Sequence, residues 1–457
     1  MYVAMIQYGK IGIEDICSCT GDSVDGIRVT FHEHEIEGAF ILGNQLMEKG
    51  YKVFMQPVGT MSYTQEALLA LIDRVNRMQP YAFYMVDTLG FMYKNDILQM
   101  FALMDAHLDP NIKIGYHAHN NLQLAFSNAQ ELLEVKTDRD LIVDASVFGM
   151  GRGAGNLNTE LICQYINDRL YPKYNTIEIL EILDLYIKPL RMRFQWGYDV
   201  PYYISAVAGC HPNYAAFLMQ RQTLRVQDIH HILHQLDVEK RSLFDKEYIR
   251  EQYMSFMNHH VEDSAVLTKL RTCIASKPVL LIAPGKSVTE KRTVERLQTL
   301  AQSGKYTVIG INFVPEEIPV DAVFVSNKKR FQTLLGNGHL LITTSNITTQ
   351  KDDQLLVVDY LSYTNEDPVV VDNAGLMCLN LLLKLEVSKV ILAGFDGFKT
   401  TANETFADRS MYIDVEEIQR SRLNESMARK LIQLQNRMDI TFLTESVYEQ
   451  WINRIIN

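Results

Sequence analysis

Two histidines one residue apart, His117 and His119 in the run Gly115-Tyr116-His117-Ala118-His119-Asn120-Asn121, are the side chains best placed to do chemistry. On a strand, positions i and i+2 share a face, so the two imidazoles can share one divalent ion. Further on, Gly149, Gly151, Gly153 and Gly155 fall within seven residues and lead into Asn156, whose side-chain carbonyl is a further oxygen donor. Such glycines let a backbone approach a ligand, which makes Gly153 and Gly155 candidate substrate-binding positions, and they equally suit a turn that closes a sheet. Asp87, in Val86-Asp87-Thr88-Leu89-Gly90, is placed either to orient a ligand or to cap the helix that follows. His32 and His34 end another apolar run on one face, where one of them is a candidate acid/base group or both belong to a solvated loop. We take His32 and Asp87 as candidate catalytic residues.

These residues recur at the ends of a repeated unit. Short apolar runs, YVAMIQ, GIRVTFH, KVFMQPV, AFYMVDT, IKIGYHAH and LIVDASV, alternate with amphipathic stretches such as TQEALLALIDRVNRM. That rhythm, every ~25 to 30 residues, is the one expected of βα units feeding a parallel sheet. A closed barrel of this kind takes about eight strands. Six units therefore predict a (β/α)8-type barrel lacking its first two, over residues 1–172. Residues 173–262 lose the strand signal and predict a helical extension. Within it the aromatic stretch QWGYDVPYYISAVAGCHPNYAAF either packs among helices or lies over the barrel end. From 263 to 457 a second α/β region begins, with strand candidates KPVLLIAPGKS, YTVIGINF, DAVFVSN, HLLITTS, QLLVVDY and KVILAGFDG. It reads as an open sheet with ligand positions at its strand ends. There Gly285, Lys286 and Ser287 follow a strand where a helix N-terminus could receive a phosphate, and Asp396 ends another. The run lacks the first glycine of a P-loop, because position 280 is Leu.

Composition narrows the setting. The chain has 457 residues, 47% hydrophobic, with Lys+Arg 44 against Asp+Glu 55 and a formal charge of −11. An acidic balance without a basic run argues against nucleic acid as a partner. No stretch approaches the ~18 apolar residues of a membrane span, and the N-terminus lacks a signal-peptide pattern, which predicts a cytoplasmic protein. The six cysteines form no CxxC pair, so neither a disulfide framework nor a zinc ribbon is expected.

The order VDTLG, then GYHAHNNLQLAFSNA, then DASVFGMGRGAGNLNTE resembles the metal-dependent TIM-barrel lyases and synthases related to HMG-CoA lyase, in particular the 4-hydroxy-2-oxovalerate aldolases. The likeness covers roughly residues 1–170. It implies a divalent ion, Mn²⁺ or Mg²⁺, on His117 and His119 with Asn156 at or near it, and a pyruvate-type 2-oxo acid cleaved by a metal-assisted retro-aldol reaction. It also implies homo-oligomers. The family's first strand carries an Arg-Asp-Gly motif that completes its site. That motif is not found here, which fits a chain starting at what looks like the family's third strand. Two rivals remain: a synthase of the same superfamily condensing an acyl-CoA with a 2-oxo acid, and a non-catalytic barrel serving a C-terminal domain. The C-terminal region in turn resembles Rossmann-like domains of bacterial sialyltransferase-type and hydroxymethylpterin diphosphokinase-like proteins. That likeness implies a nucleotide or nucleotide-sugar ligand at Gly285, Lys286, Ser287 and Asp396, with surface-polysaccharide biosynthesis as a setting.

Overall fold

The computed structural model describes residues 1–221, 223–274, 276–350, 354–399, 406–407, 411 and 417–456. They form two compact units. Residues 1–216 and 233–246 make the first, 217–232 and 247–457 the second. The stretch expected as one helical extension is thus shared between them.

In the first unit, six parallel strands stand side by side in chain order. They are β1 (Val3–Gln7), β2 (Gly26–Phe31), β3 (Lys52–Pro57), β4 (Ala82–Asp87), β5 (Lys113–Ala118) and β6 (Leu141–Val143). All six lie where the apolar runs place them. The helices α1 (Ile36–Glu48), α2 (Gln65–Met78), α3 (Lys94–His107), α4 (Ala125–Leu133) and α5 (Thr159–Arg169) alternate with them. α2 shows why: Thr64 caps its N-terminus through Ala67 N, and Leu68, Leu71, Ile72 and Val75 form one buried stripe. These join Val29, Phe31, Val53, Met55, Phe83, Met85, Ile114 and Tyr116 in one core. The edge strands β1 and β6 are not paired with each other among the described residues, so this is a six-stranded parallel α/β sheet. β6 is only three residues long. His119 falls just past β5, where it bridges Asn156.

Helices then take over: α6 (Thr176–Ile182), α7 (Lys188–Arg193), α8 (Val200–Val207), α9 (Pro212–Gln220), α10 (Val226–His234), α11 (Lys246–Met257) and α12 (Ser264–Ile274).

The second unit holds a seven-stranded, all-parallel sheet. Its strands are β7 (Val279–Ile282), β8 (Thr307–Ile311), β9 (Ala322–Val325), β10 (Leu340–Thr344), β11 (Leu355–Val358), β12 (Lys389–Ala393) and β13 (Asp439–Phe442), in the order β11-β10-β9-β8-β7-β12-β13. Its helices are α13 (Lys291–Gln302), α14 (Lys328–Leu334), α15 (Ala374–Lys384), α16 (Glu417–Gln435) and α17 (Val447–Ile456). The runs β7 to β11 are buried along almost their whole length, the pattern of strands covered on both faces. The sequence did not reveal β13. It has four residues, sits at the sheet edge and is half exposed, so it carries no continuous apolar run. No described helix is long and apolar enough to cross a membrane.

Candidate metal and oxo-acid site

The two histidines converge as their spacing requires. Their ring centroids lie 5.4 Å apart. His119 Nδ1 donates to the Thr88 carbonyl at 2.8 Å, so the Nε2 of that neutral imidazole keeps its lone pair. His117 Nδ1 faces Asp144 Oδ2 at 3.0 Å, which likewise leaves Nε2 as the free donor atom. This is the arrangement in which an outer hydrogen bond fixes the tautomer of a metal-binding imidazole. Burial is the largest influence on both rings and lowers both pKa values. His119 and Arg28 push His117 further, down to about 3, and Arg152 adds to the lowering of His119. Although Asp144 touches His117, its charge is already engaged by Arg28, so it does not hold the ring protonated.

Asp144 is the hub of a polar network that only folding assembles. It pairs with Arg28 on β2, accepts from Tyr84 Oη on β4 at 3.2 Å, and lies 3.4 Å from Gln56 Nε2 on β3. Gly115 makes room for this. A Cβ there would sit 2.3 Å from the Tyr84 ring. Arg28, Gln56 and Tyr84 were not picked out from the sequence. The one available signal was Arg28 itself, a lone charge inside the apolar run GIRVTFH.

Asn156 is held by its backbone, which donates from N to the Gly149 carbonyl at 3.0 Å, and by Nδ2, which donates to the Met150 carbonyl. Its Oδ1 is buried without a hydrogen-bond partner. A buried, unpaired acceptor calls for an explanation, and an electropositive group is one. Gly149, Gly153 and Gly155 adopt φ of +60°, +66° and +82°. The Gly155 carbonyl accepts from Asn120 N, which ties the turn to the end of β5. The glycines thus build a tight turn, and the turn brings Asn156 beside His119.

Asp87 serves the loop. Its carboxylate accepts from Phe91 N and Met92 N, both at 3.1 Å, while its carbonyl accepts from His119 N. The N-cap of α3 is Tyr93, so Asp87 caps the loop and not the helix. Burial raises its pKa to about 6 against the opposing backbone hydrogen bonds. His32 donates its backbone amide to Glu35 and its ring stacks on His34 at 5.7 Å, so it organises the turn after β2.

The aromatic stretch does reach the glycine-rich turn. Trp196 Nε1 donates to the Phe148 carbonyl and Gly197 N to the Gly153 carbonyl, each at 3.0 Å. The Tyr202 ring lies 3.1 Å from where a Cβ on Gly153 would be. Among the described residues no three His, Cys, Asp or Glu side chains group as a metal site; the polar groups that come together here are two imidazoles and an amide oxygen.

In the second unit the candidate positions Gly285, Ser287 and Asp396 come together, where strand order reverses about β7. Asp396 accepts from the Ser287 amide at 2.7 Å and from its hydroxyl, and Gly285 packs on the Gly394 carbonyl. A 3-10 turn, Lys286–Thr289, follows β7 where a helix was expected. The Ser287 amide is already given to Asp396, and Lys286 is exposed.

Residues 45–185 match the HMGL-like family. Among curated proteins, the chain is 28% identical over 166 residues to the 4-hydroxy-2-oxovalerate aldolase of Pseudoalteromonas translucida, covering 35% of this chain and 46% of that protein. With the enzyme of the same name from Geobacillus stearothermophilus it is 31% identical over 188 residues, 40% of this chain and 52% of that one. Over 149 residues it is 28% identical to the oxaloacetate decarboxylase of Mycobacterium tuberculosis, 33% of this chain and 43% of that one. The chain spans about half the length of the curated relatives it matches. Among solved structures, the N-terminal domain of a putative aldolase from Bacteroides vulgatus is 23% identical, with a TM-score of 0.43, over 48% of this chain and 73% of that one. Residues 45–185 thus form an HMGL-like family domain, whose relatives include enzymes named as aldolases.

Proposed function

We propose that the first unit is a divalent-metal-dependent aldolase acting on a pyruvate-type 2-oxo acid. The observation that carries this is the donor set: two neutral imidazoles with free Nε2 atoms, beside a buried, unpartnered Asn156 Oδ1. These fit Mn²⁺ or Mg²⁺, held by His117, His119 and Asn156. Such an ion, when bound, polarises the keto oxygen of a 2-oxo acid and so favours the enolate formed when a C–C bond breaks. The chain's own contribution is orientation. Asp144 and the Thr88 carbonyl fix the two tautomers, and the Gly149–Gly155 turn presents Asn156. The homologues named as aldolases support this reading over a scaffold role.

In the second unit, we read the reversal of strand order about β7 as the sign of a Rossmann-like domain, since parallel sheets bind ligands at such points. A nucleotide is the ligand we place there, near Gly285, Lys286 and Asp396.

The test is calorimetric titration of the full chain with Mn²⁺, followed by a pyruvate-release assay with a 4-hydroxy-2-oxo acid. His117→Ala is expected to remove Mn²⁺ binding while the thermal unfolding temperature stays near that of the wild type. An unchanged titration rejects the metal site. Turnover that requires an acyl-CoA moves the assignment to a condensing synthase.

A further inference from the structure

Beyond the residues already placed at the site stands His211, at the junction of α8 and α9. Its backbone amide donates to the Arg241 carbonyl at 2.8 Å, and its carbonyl receives Tyr214 N at 3.0 Å. The ring is fixed as well. Asn213 N, at the start of α9, donates to His211 Nδ1 at 3.2 Å. An imidazole nitrogen that accepts a backbone N–H carries no proton, so the neutral ring must carry its hydrogen on Nε2. Among the described residues Nε2 has no hydrogen-bond partner.

The segment bearing this ring is fastened to the site. Arg152, in the glycine-rich turn, donates from Nη2 to Asn213 Oδ1 at 3.2 Å. Asn121, two residues after His119, lies with Nδ2 3.4 Å from the Tyr202 carbonyl on α8. Trp196 and Gly197 dock on the same turn. Burial first, then Arg152, His119 and His32, push its pKa down to about 4. A ring kept neutral, with one nitrogen tied to the first turn of a helix, is an electrophile and neither an acid nor a base.

We propose that His211 is a catalytic hydrogen-bond donor of this site, whose Nε2–H stabilises the oxygen that gains negative charge when a 2-oxo acid held at His117 and His119 becomes its enolate. No proton leaves His211. It supplies a fixed dipole where charge develops, which costs no reorganisation at the moment of reaction. The inference rests on the aldolase reading and deepens it by adding a residue from the helical segment to the sheet-borne site.

The test follows exchange of the pyruvate methyl hydrogens with D₂O by NMR in full-length protein with Mn²⁺, beside calorimetric Mn²⁺ affinities. In His211→Asn, the new Oδ1 can still accept the Asn213 amide, but no donor reaches the place of Nε2. It is expected to bind Mn²⁺ within about twofold of the wild type and to exchange pyruvate protons about 100-fold more slowly, the loss typical of one oxyanion donor. His211→Gln puts an amide N–H near the Nε2 position and is expected to recover exchange to within about tenfold of the wild type, which a lost acid or base would not allow. Wild-type exchange in His211→Asn overturns the proposal. So does equal loss in both variants, or Mn²⁺ affinity that falls with exchange. If the wild type neither binds Mn²⁺ nor exchanges, the aldolase reading fails and this assignment with it; if it does both, the outcome rests on His211 alone.

Discussion

Asp144 holds three roles at once: it balances Arg28, accepts from Tyr84 and fixes the Nδ1 side of His117. Its Asn variant keeps the shape but loses the charge that orients the imidazole. Mn²⁺ affinity in Asp144→Asn should fall about 10- to 100-fold, the usual effect of removing an outer partner of a metal-binding histidine. Calorimetry checks this, and an unchanged affinity assigns Asp144 to Arg28 alone. Asp87 offers a pH test. Its pKa, raised by burial to about 6, lies above the value it takes in an unfolded chain. Between those two values the folded state binds the extra proton. The contribution of Asp87 to stability is therefore greatest below its unfolded pKa, declines as pH rises toward 6 and is level above it. The loss is on the order of 3 kcal/mol, at 1.36 kcal/mol per pKa unit. Chemical denaturation of wild type and Asp87→Asn across pH 4 to 7 should show the difference narrowing or reversing with rising pH. A pH-independent difference removes the buried-carboxyl account.

At the scale of elements, the glycine-rich turn decides whether Asn156 meets the histidines. Gly155 sits at φ +82°, and a Cβ on it would stand 2.3 Å from the Gly149 carbonyl. Gly155→Ala therefore meets both backbone strain and a clash, and should cost about 1–3 kcal/mol. Because the displaced residue is next to Asn156, Mn²⁺ affinity should drop along with the melting temperature. Loss of stability with intact affinity would show that the turn and the metal site are independent. Parallel βα units were legible because each strand is a continuous apolar run and each helix an amphipathic one. β13 was not, since a short edge strand half open to solvent has neither pattern.

At the scale of the molecule, two units with separate sheets imply that damage to one should be silent in the other's chemistry. Ser287→Ala strips Asp396 of its hydroxyl partner in a buried setting and should destabilise the second unit by about 1–3 kcal/mol. Mn²⁺ titration of the first unit is expected to be unchanged. A coupled loss would make the second unit part of the metal site's support.

Six βα units, a second open α/β sheet, the strand-end setting of His117 and His119 and the glycine-rich setting of Asn156 were legible in the chain, because strand alternation and glycine spacing are local properties. The sequence could not reveal that Arg28, Gln56, Tyr84 and Asp144 form one network, since these lie on four different segments and only parallel register brings them together. Nor could it choose between helix packing and site contact for the aromatic stretch. Trp196 is tied to the Phe148 carbonyl, Tyr202 to Asn121, and Asn213, beside His211, to Arg152, by hydrogen bonds whose partners lie far away in the chain. Local pattern fixes which side chains face inward; tertiary packing alone fixes which of them meet.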